Sequence, residues 1–253
     1  MVKKKIKKFW NNRSHKKNYA GSNTLSGDML ETNYLSGLIK KNSTILDAGC
    51  GNGIFFSRLY KKIKYRQALG IDYSEGMIYN AQKRNLPKTS FIVDDITKLN
   101  NTKKLNIRFD YIITKRSLIN LSNSKKQIEV IKNLSLLLKK KGKLYCCECS
   151  QDALDNINSF RKKLKLSKID SPWHNSYLKD KKIQNIKTSK LKFLRTHEFT
   201  SSFYFISRIL NAYITKKNKK NFFDKALNEV ALKMDQGLIK GFSQNKIFEF
   251  EKK

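Results

Sequence analysis

The chain has 253 residues, 54 lysines and arginines against 20 acids, a net charge of +34, and two prolines. It is long enough to bury a sizeable core as one domain, and none of its short apolar runs approaches the ~20 residues a membrane-spanning helix needs. The basic start Met1–Lys8 is followed by no long apolar core, so it does not read as a secretory signal, and a cytoplasmic location is expected.

Residues 1–20 form a basic lead that carries Phe9, Trp10, His15 and Tyr19. Ser26 to Ile39 reads as a helix, with Ser26 placed to cap it and Met29, Leu30, Leu35, Leu38 and Ile39 available for an apolar face. A first strand at 44–48 runs into a glycine turn, and a helix follows at about 53–63. A second strand is expected at 67–71, a helix from Glu75 to Arg84 ending near Pro87, a third strand at 89–93 and a fourth at 109–114. Ser124 to Lys140 reads as one long helix stopped at Gly142, with Lys139, Lys140 and Lys141 near its negative end. A fifth strand is expected at 143–149 and a helix from Asp152 to Leu164. Beyond a loop at Ser171–Asn175, the spacing predicts a strand at Leu191–Phe199, helices at Ser202–Ile214 and Phe222–Met234, and a last strand at Lys246–Phe250. Strands alternating with helices imply βαβ units and a parallel sheet covered on both faces.

The turn after the first strand, Asp47-Ala48-Gly49-Cys50-Gly51-Asn52-Gly53, has the spacing GxGxG. A dinucleotide fingerprint, GxGxxG, would need a glycine where this chain has Ile54. Glycine lets backbone approach a flat, phosphate-free ligand closely. Asp72 ends the second strand 23 residues after Gly49, close to the ~20 expected of an acid that takes ribose hydroxyls. Asp94 and Asp95 end the third.

Taken together these residues resemble the class I S-adenosylmethionine (SAM) dependent methyltransferases, over about residues 42–150. The resemblance implies an α/β, Rossmann-like, seven-stranded and mostly parallel sheet with helices on both faces. Its last strand is antiparallel, with a helical insertion at about 200–243. The whole of 1–253 would then be one methyltransferase domain, with a SAM-binding core at 42–150, a substrate-side half at 151–253 and an N-terminal lid at 1–25. The implied cofactor is SAM, with S-adenosylhomocysteine (SAH) as product. Its implied binding residues are Asp47, Gly49, Cys50, Gly51, Gly53, Asp72, Tyr73, Met77, Asp94, Asp95, Ile96 and Lys115. In the family's register Asp95 contacts the adenine amino group and the Ile96 N–H reads the ring, with Asp94 as the alternative acid. Trp10, His15 and Tyr19 would close over the cofactor, or simply pack as part of an amphipathic helix.

Candidate acceptor-side residues lie past the fourth and fifth strands. Thr114-Lys115-Arg116-Ser117-Leu118-Ile119-Asn120-Leu121 lacks the (D/N/S)PP(Y/F/W) signature of amino-methylating enzymes that act on bases or glutamine. Arg116 is read either as a clamp for a carboxylate or phosphate or as a structural ion pair, and Asn120 as a cap on local backbone. Glu148, the one acid in its strand, would orient the acceptor or act as base; facing away, it would pair with a lysine. His174, between Trp173 and Asn175, is the best candidate base of three histidines, with Tyr177 a weaker companion and Tyr19 a further candidate from the lid. Cys146, Cys147 and Cys149 fall in one expected strand with no histidine nearby, so no metal site is expected, and Cys50 reads as packing rather than as a nucleophile.

The charge has two readings. Lysine supplies 45 of the basic residues and arginine 9, while asparagine and isoleucine each number 24, the bias of an A/T-rich coding sequence. A polyanion partner, RNA above all, is the other reading. Tyr19-Ala20-Gly21-Ser22, Arg116–Leu121, Pro172–Asn175 and Phe205–Leu210 are similar to a bacterial subgroup associated with surface-polysaccharide genes. The sequence thus points to methylation of oxygen or nitrogen on a small molecule or glycan, with an RNA methyltransferase as the alternative. A non-catalytic SAM-binding protein is disfavoured by the complete glycine turn and acids. Nothing in the sequence speaks to oligomeric state.

Overall fold

The computed structural model describes residues 2–19, 25–218 and 225–253. The apolar runs form strands β1 (Thr44–Ala48), β2 (Gln67–Asp72), β3 (Thr89–Val93), β4 (Phe109–Lys115), β5 (Leu138–Cys149), β6 (Leu191–Glu198) and β7 (Asn245–Lys252). They pair into one sheet in the order β3-β2-β1-β4-β5-β7-β6. All are parallel except β7, which lies antiparallel between β5 and β6. The chain builds outward from β1 to β3, then returns to place β4 on the other side of β1. That reversal opens a crevice at the carboxyl ends of β1 and β4.

The helices are α1 (Val2–Arg13), α2 (Leu25–Leu38), α3 (Ile54–Lys62), α4 (Glu75–Gln82), α5 (Asn100–Lys104) and α6 (Ser124–Ser135). They continue as α7 (Gln151–Lys163), α8 (Asp180–Gln184), α9 (Ser201–Phe205), α10 (Asn211–Asn218) and α11 (Lys225–Lys233). Alternation along the strands divides the core into two layers. Leu46, Ile112, Leu144, Cys146 and Phe248 face Val130, Ile131 and Leu134 of α6 and Ile183 of α8. Ile45, Ile113, Tyr145, Cys147 and Ile247 face Leu35 of α2, Phe55, Phe56 and Leu59 of α3, and Ile78 of α4. A third cluster joins Ile157 of α7 to Phe203, Tyr204, Ile206, Ile209 and Ala231. No helix among the described residues is long and apolar enough to cross a membrane.

Two expectations are corrected. The helix expected to reach Lys140 ends at Ser135, because Leu138 enters the sheet opposite Phe109. A register irregularity follows, with Lys141 at φ +62°. Lys139 therefore sits 2.9 Å from Asp110 rather than at a helix end. The single helix expected at 202–214 contains a π-helical turn, Ile206–Leu210, between α9 and α10. The basic lead is helical as α1, followed by a 3-10 turn, Ser14–Tyr19.

Candidate functional site

A cavity of about 700 Å³ opens at the carboxyl ends of β1 to β4, within the size range of small-molecule and cofactor sites. The turn after β1 forms its floor. The N–H groups of Gly49 and Cys50 both donate to the Ile71 carbonyl, at 2.8 and 2.9 Å, which pins the turn against β2. Gly51 and Gly53 both have positive φ, but for different reasons. At Gly51 (φ +52°) an added Cβ would meet only the Met77 sulfur, at 4.0 Å, and would project into open space. At Gly53 (φ +72°) it would strike the Phe91 ring at 2.8 Å. Gly53 does not line the cavity; it lets α3 begin against β3.

Asp47, Asp72 and Asp95 stand at or just past the ends of β1, β2 and β3, and all three line the cavity. Asp47 is buried and its Oδ1 has no hydrogen-bond partner. Burial, resisted by Lys115, pushes its carboxyl up to about 7. Asp72 accepts from Gly51 N at 3.0 Å and Ser74 N at 2.9 Å. Burial still raises it to about 6. Asp95 accepts from the N–H and hydroxyl of Thr97, at 2.9 and 2.7 Å. Gly49, Cys50, Tyr73, Met77, Ile96 and Lys115 also line the cavity. Burial pushes the Cys50 thiol well up, so it is a packed thiol and not a thiolate nucleophile.

Asp94 is placed elsewhere. Its carboxylate is buried and accepts from the N–H and hydroxyl of Thr102, at 2.8 and 2.6 Å, and from Asp95 N at 2.8 Å. It holds the start of α5 and does not line the cavity.

An ion cluster closes the far wall. Asp28 of α2 pairs with Arg58, Lys115 and Arg116, the last at 2.7 Å. Glu31 lies 3.3 Å from Lys115 and 3.4 Å from Arg116, and also accepts from Asn245. Burial opposes the charge on Asp28, but Lys115, Arg116 and Arg58 outweigh it and hold the carboxyl at about 2. Arg116 is thus a structural ion pair that also lines the cavity, with its buried Nε unpartnered. Sequence reasoning missed Asp28 and Glu31; their signal was two acids three apart, hence on one face of a helix.

Glu148 follows neither expectation. It is fully buried and accepts from the N–H groups of Ser117, Leu118 and Ile119, at 3.1, 3.0 and 3.4 Å. It anchors the 3-10 turn Leu118–Asn120 and stays outside the cavity. His174 is also outside. Its ring packs against Phe9 at 4.3 Å, Trp173 at 5.3 Å and Trp10 at 5.6 Å. Trp10 and Ile6 of α1 do line the cavity, and Trp10 Nε1 donates to Asn120 Oδ1 at 3.2 Å. Asn120 in turn donates to the Arg116 carbonyl, the backbone cap expected of it. His15 is exposed. The side chain of Tyr19, and with it that candidate role, lies outside the described residues, as do residues 20–22 of the polysaccharide-linked likeness. No group of three or more metal-ligating side chains occurs among the described residues.

A family model described as a methyltransferase domain matches residues 39–226. The chain belongs to the class I SAM-dependent methyltransferase family. It is 33% identical over 94 residues to malonyl-[acyl-carrier protein] O-methyltransferase 1 of Ilyobacter polytropus, covering 36% of this chain and 34% of that one. The chain spans about a third of the length of the curated relatives it matches. Among solved structures it is similar to a chain from a complex of the Haloferax volcanii Trm112 methyltransferase activator. That match has 12% identity, 96% of each chain covered and a TM-score of 0.59. It is also similar to the magnesium protoporphyrin IX methyltransferase of Synechocystis PCC 6803 with bound SAH. There the identity is 16%, with 90% of this chain and 82% of that one covered and a TM-score of 0.54. These structural likenesses show the fold.

Proposed function

We propose that the protein transfers a methyl group from SAM to an oxygen or nitrogen of a small-molecule or glycan acceptor. One observation carries this reading: acids at the ends of three neighbouring parallel strands line a single cavity together with the glycine turn. The residues fit the cofactor. Asp47, buried with an unpartnered Oδ1, suits the ammonium of its methionine end. Asp72 suits the ribose hydroxyls, and Asp95 with the Ile96 N–H suits the adenine. Gly51 leaves open the space a side chain would fill.

When bound, SAM supplies an electrophilic methyl on a sulfonium. The chain's own residues orient and enclose. Asp28, ionised throughout the neutral range, fixes Lys115 and Arg116 at the acceptor end. Trp10, held by Asn120, excludes water from the mouth. Glu148 and His174 stand outside the lining, so the reading rests on alignment of the acceptor and assigns neither of them a proton transfer. RNA is a second reading, favoured by the net charge of +34.

Calorimetric titration with SAH tests the site. Wild type is expected to bind, and Asp72→Ala and Gly51→Val to abolish binding; unchanged affinity in either variant overturns the assignment. Transfer of a radiolabelled methyl from SAM into fractionated cell extract tests the acceptor. Label in small molecules or glycans is the expected result, and RNase-sensitive label would replace it with the RNA reading.

A further inference from the structure

Arg116 borders the cavity on one side and a second polar group on the other. From its guanidinium the contacts run to Glu31, then to Asn245, which donates to Glu31 and accepts from the Cys149 thiol at 3.0 Å. The Leu178 N–H donates to the Cys149 carbonyl at 2.9 Å and the Ser150 N–H to the Gln244 carbonyl at 2.8 Å, which brings the segments carrying Tyr177 and Gln244 beside Cys149. Tyr204 is buried in the cluster against which Leu30, the neighbour of Glu31, also packs. The Arg208 guanidinium carbon is 5.9 Å from the Tyr204 ring centre. None of Tyr177, Tyr204 or Arg208 lines the cavity already described.

Three features of this group ask for a ligand. The first is charge. Arg208 is half-buried, its guanidinium lies against the Tyr204 ring, and it makes no ion pair among the described residues. Its neighbour Arg161, 7% exposed, is held by the carbonyls of Ser167 and Arg208 and by no acid. The second is unmet hydrogen bonding. Arg116 Nε, Ser207 Oγ and Gln244 Oε1 are buried without partners, in residues of which Ser207 is 7% and Gln244 3% exposed. Such atoms are rare in native proteins and call for an explanation. The third is backbone. Ser207 and Arg208 lie on the π-helical turn, a geometry that recurs at functional sites.

We propose that Arg116, Arg208, Tyr177, Tyr204, Ser207 and Gln244 form an acceptor subsite for a small organic acid that also carries a hydroxyl. Arg208 supplies charge in a planar fork matched to a carboxylate, and Arg116, whose charge Asp28 and Glu31 already take, offers its unpartnered Nε–H. The tyrosine and serine hydroxyls complete its hydrogen bonds. Gln244 Oε1, an acceptor without a donor, takes the hydroxyl. Phe203, Ile206 and Ile209 are buried in one cluster with Tyr204, unlike the open basic groove that a nucleic-acid strand follows. The carboxylate is an anchor that points another atom of the acceptor toward the cavity. This inference rests on the reading of that cavity as the SAM site.

The test is calorimetric titration of the full chain, saturated with SAH, using glucuronate and its uncharged counterpart glucose. Glucuronate is expected to bind saturably and at least about tenfold more tightly than glucose, and Arg208→Met to weaken it at least about tenfold with SAH affinity held within about twofold. Arg208→Lys, which keeps the charge but loses the fork, should fall between. Equal binding of glucuronate and glucose by wild type overturns the subsite without any variant. So does undiminished glucuronate binding by Arg208→Met, the result that attraction to the overall positive charge would give. Inorganic phosphate competing as well as glucuronate would overturn the carboxylate assignment. Failure of wild type to bind SAH would instead overturn the cofactor reading.

Discussion

Asp47 carries its charge in the least hospitable place in the cavity: fully buried, half unpartnered, and pushed up to about 7. A carboxyl raised in the folded state costs the free protein stability as pH climbs from the ordinary carboxylate range through about 7. A ligand ammonium favours the ionised form, so SAH affinity should rise over the upper part of that window, by at most about tenfold per pH unit. Titrations at pH 6 and pH 8 are expected to show tighter binding at the higher pH in wild type, and in Asp47→Asn only the roughly twofold dependence left by Asp72 at about 6. A flat wild-type profile would remove the ammonium contact. At this scale legibility was uneven. Asp72 follows from strand end and spacing alone. Asp94 and Asp95 are adjacent acids at one strand end, and only the packing of Thr102, eight residues on, shows which of them anchors α5. Glu148 reads as a charge in search of a partner, but its partners are three backbone N–H groups from another loop, which no residue pattern encodes.

α1 contributes Ile6 and Trp10 to the lining of the cavity. It is tied to α4 and its flanks by Lys7–Glu75 at 2.9 Å, Asn11–Ser74 at 2.5 Å and, just beyond it, Ser14–Asn80 at 2.8 Å, and it lays Ile6 and Trp10 over the mouth. His174 supports this helix from outside, against Phe9 and Trp10. Burial and then Arg13 lower its pKa. A histidine held neutral in the docked state loses its contribution as pH falls below the ordinary histidine range, because the undocked form binds the proton more readily. Hydrogen-exchange protection factors across Val2–Arg13 are expected to rise on SAH binding and to fall in His174→Ala or below about pH 6. In that variant KM for SAM should rise while kcat holds. A fall in kcat with α1 still protected would return His174 to the chemistry. The misplaced boundary between α6 and β5 is also an element-scale lesson. Leu137 and Leu138 extend a good helical pattern, yet pairing with β4 takes Leu138 into the sheet.

The net charge of +34 acts on the whole molecule. Like charges repel more strongly in the compact state than in the unfolded chain, and salt screens them. Tm should therefore rise by several degrees between about 0.05 and 0.5 M sodium chloride. A fall would mean that attractive pairs dominate. The Asp28–Arg116 cluster is shielded from solvent and contributes little to this dependence.

The order of strands and helices, the glycine turn, and the acids closing the first three strands were legible from sequence because each is a local rule. Apolar alternation, a backbone that only glycine allows, and a carboxylate at a strand end all act within a few residues. What the tertiary structure alone decided is which distant side chains share a space. Asp28 meets Arg116 across 88 positions, Trp10 meets Asn120 across 110, and Glu31 meets Asn245 across 214. Those contacts exist because the sheet turns back on itself at β1 and because packing on its two faces sets where α1, α2 and the π-helical turn come to rest. Their energies depend on burial, which is a property of the assembled fold and not of any segment of the chain.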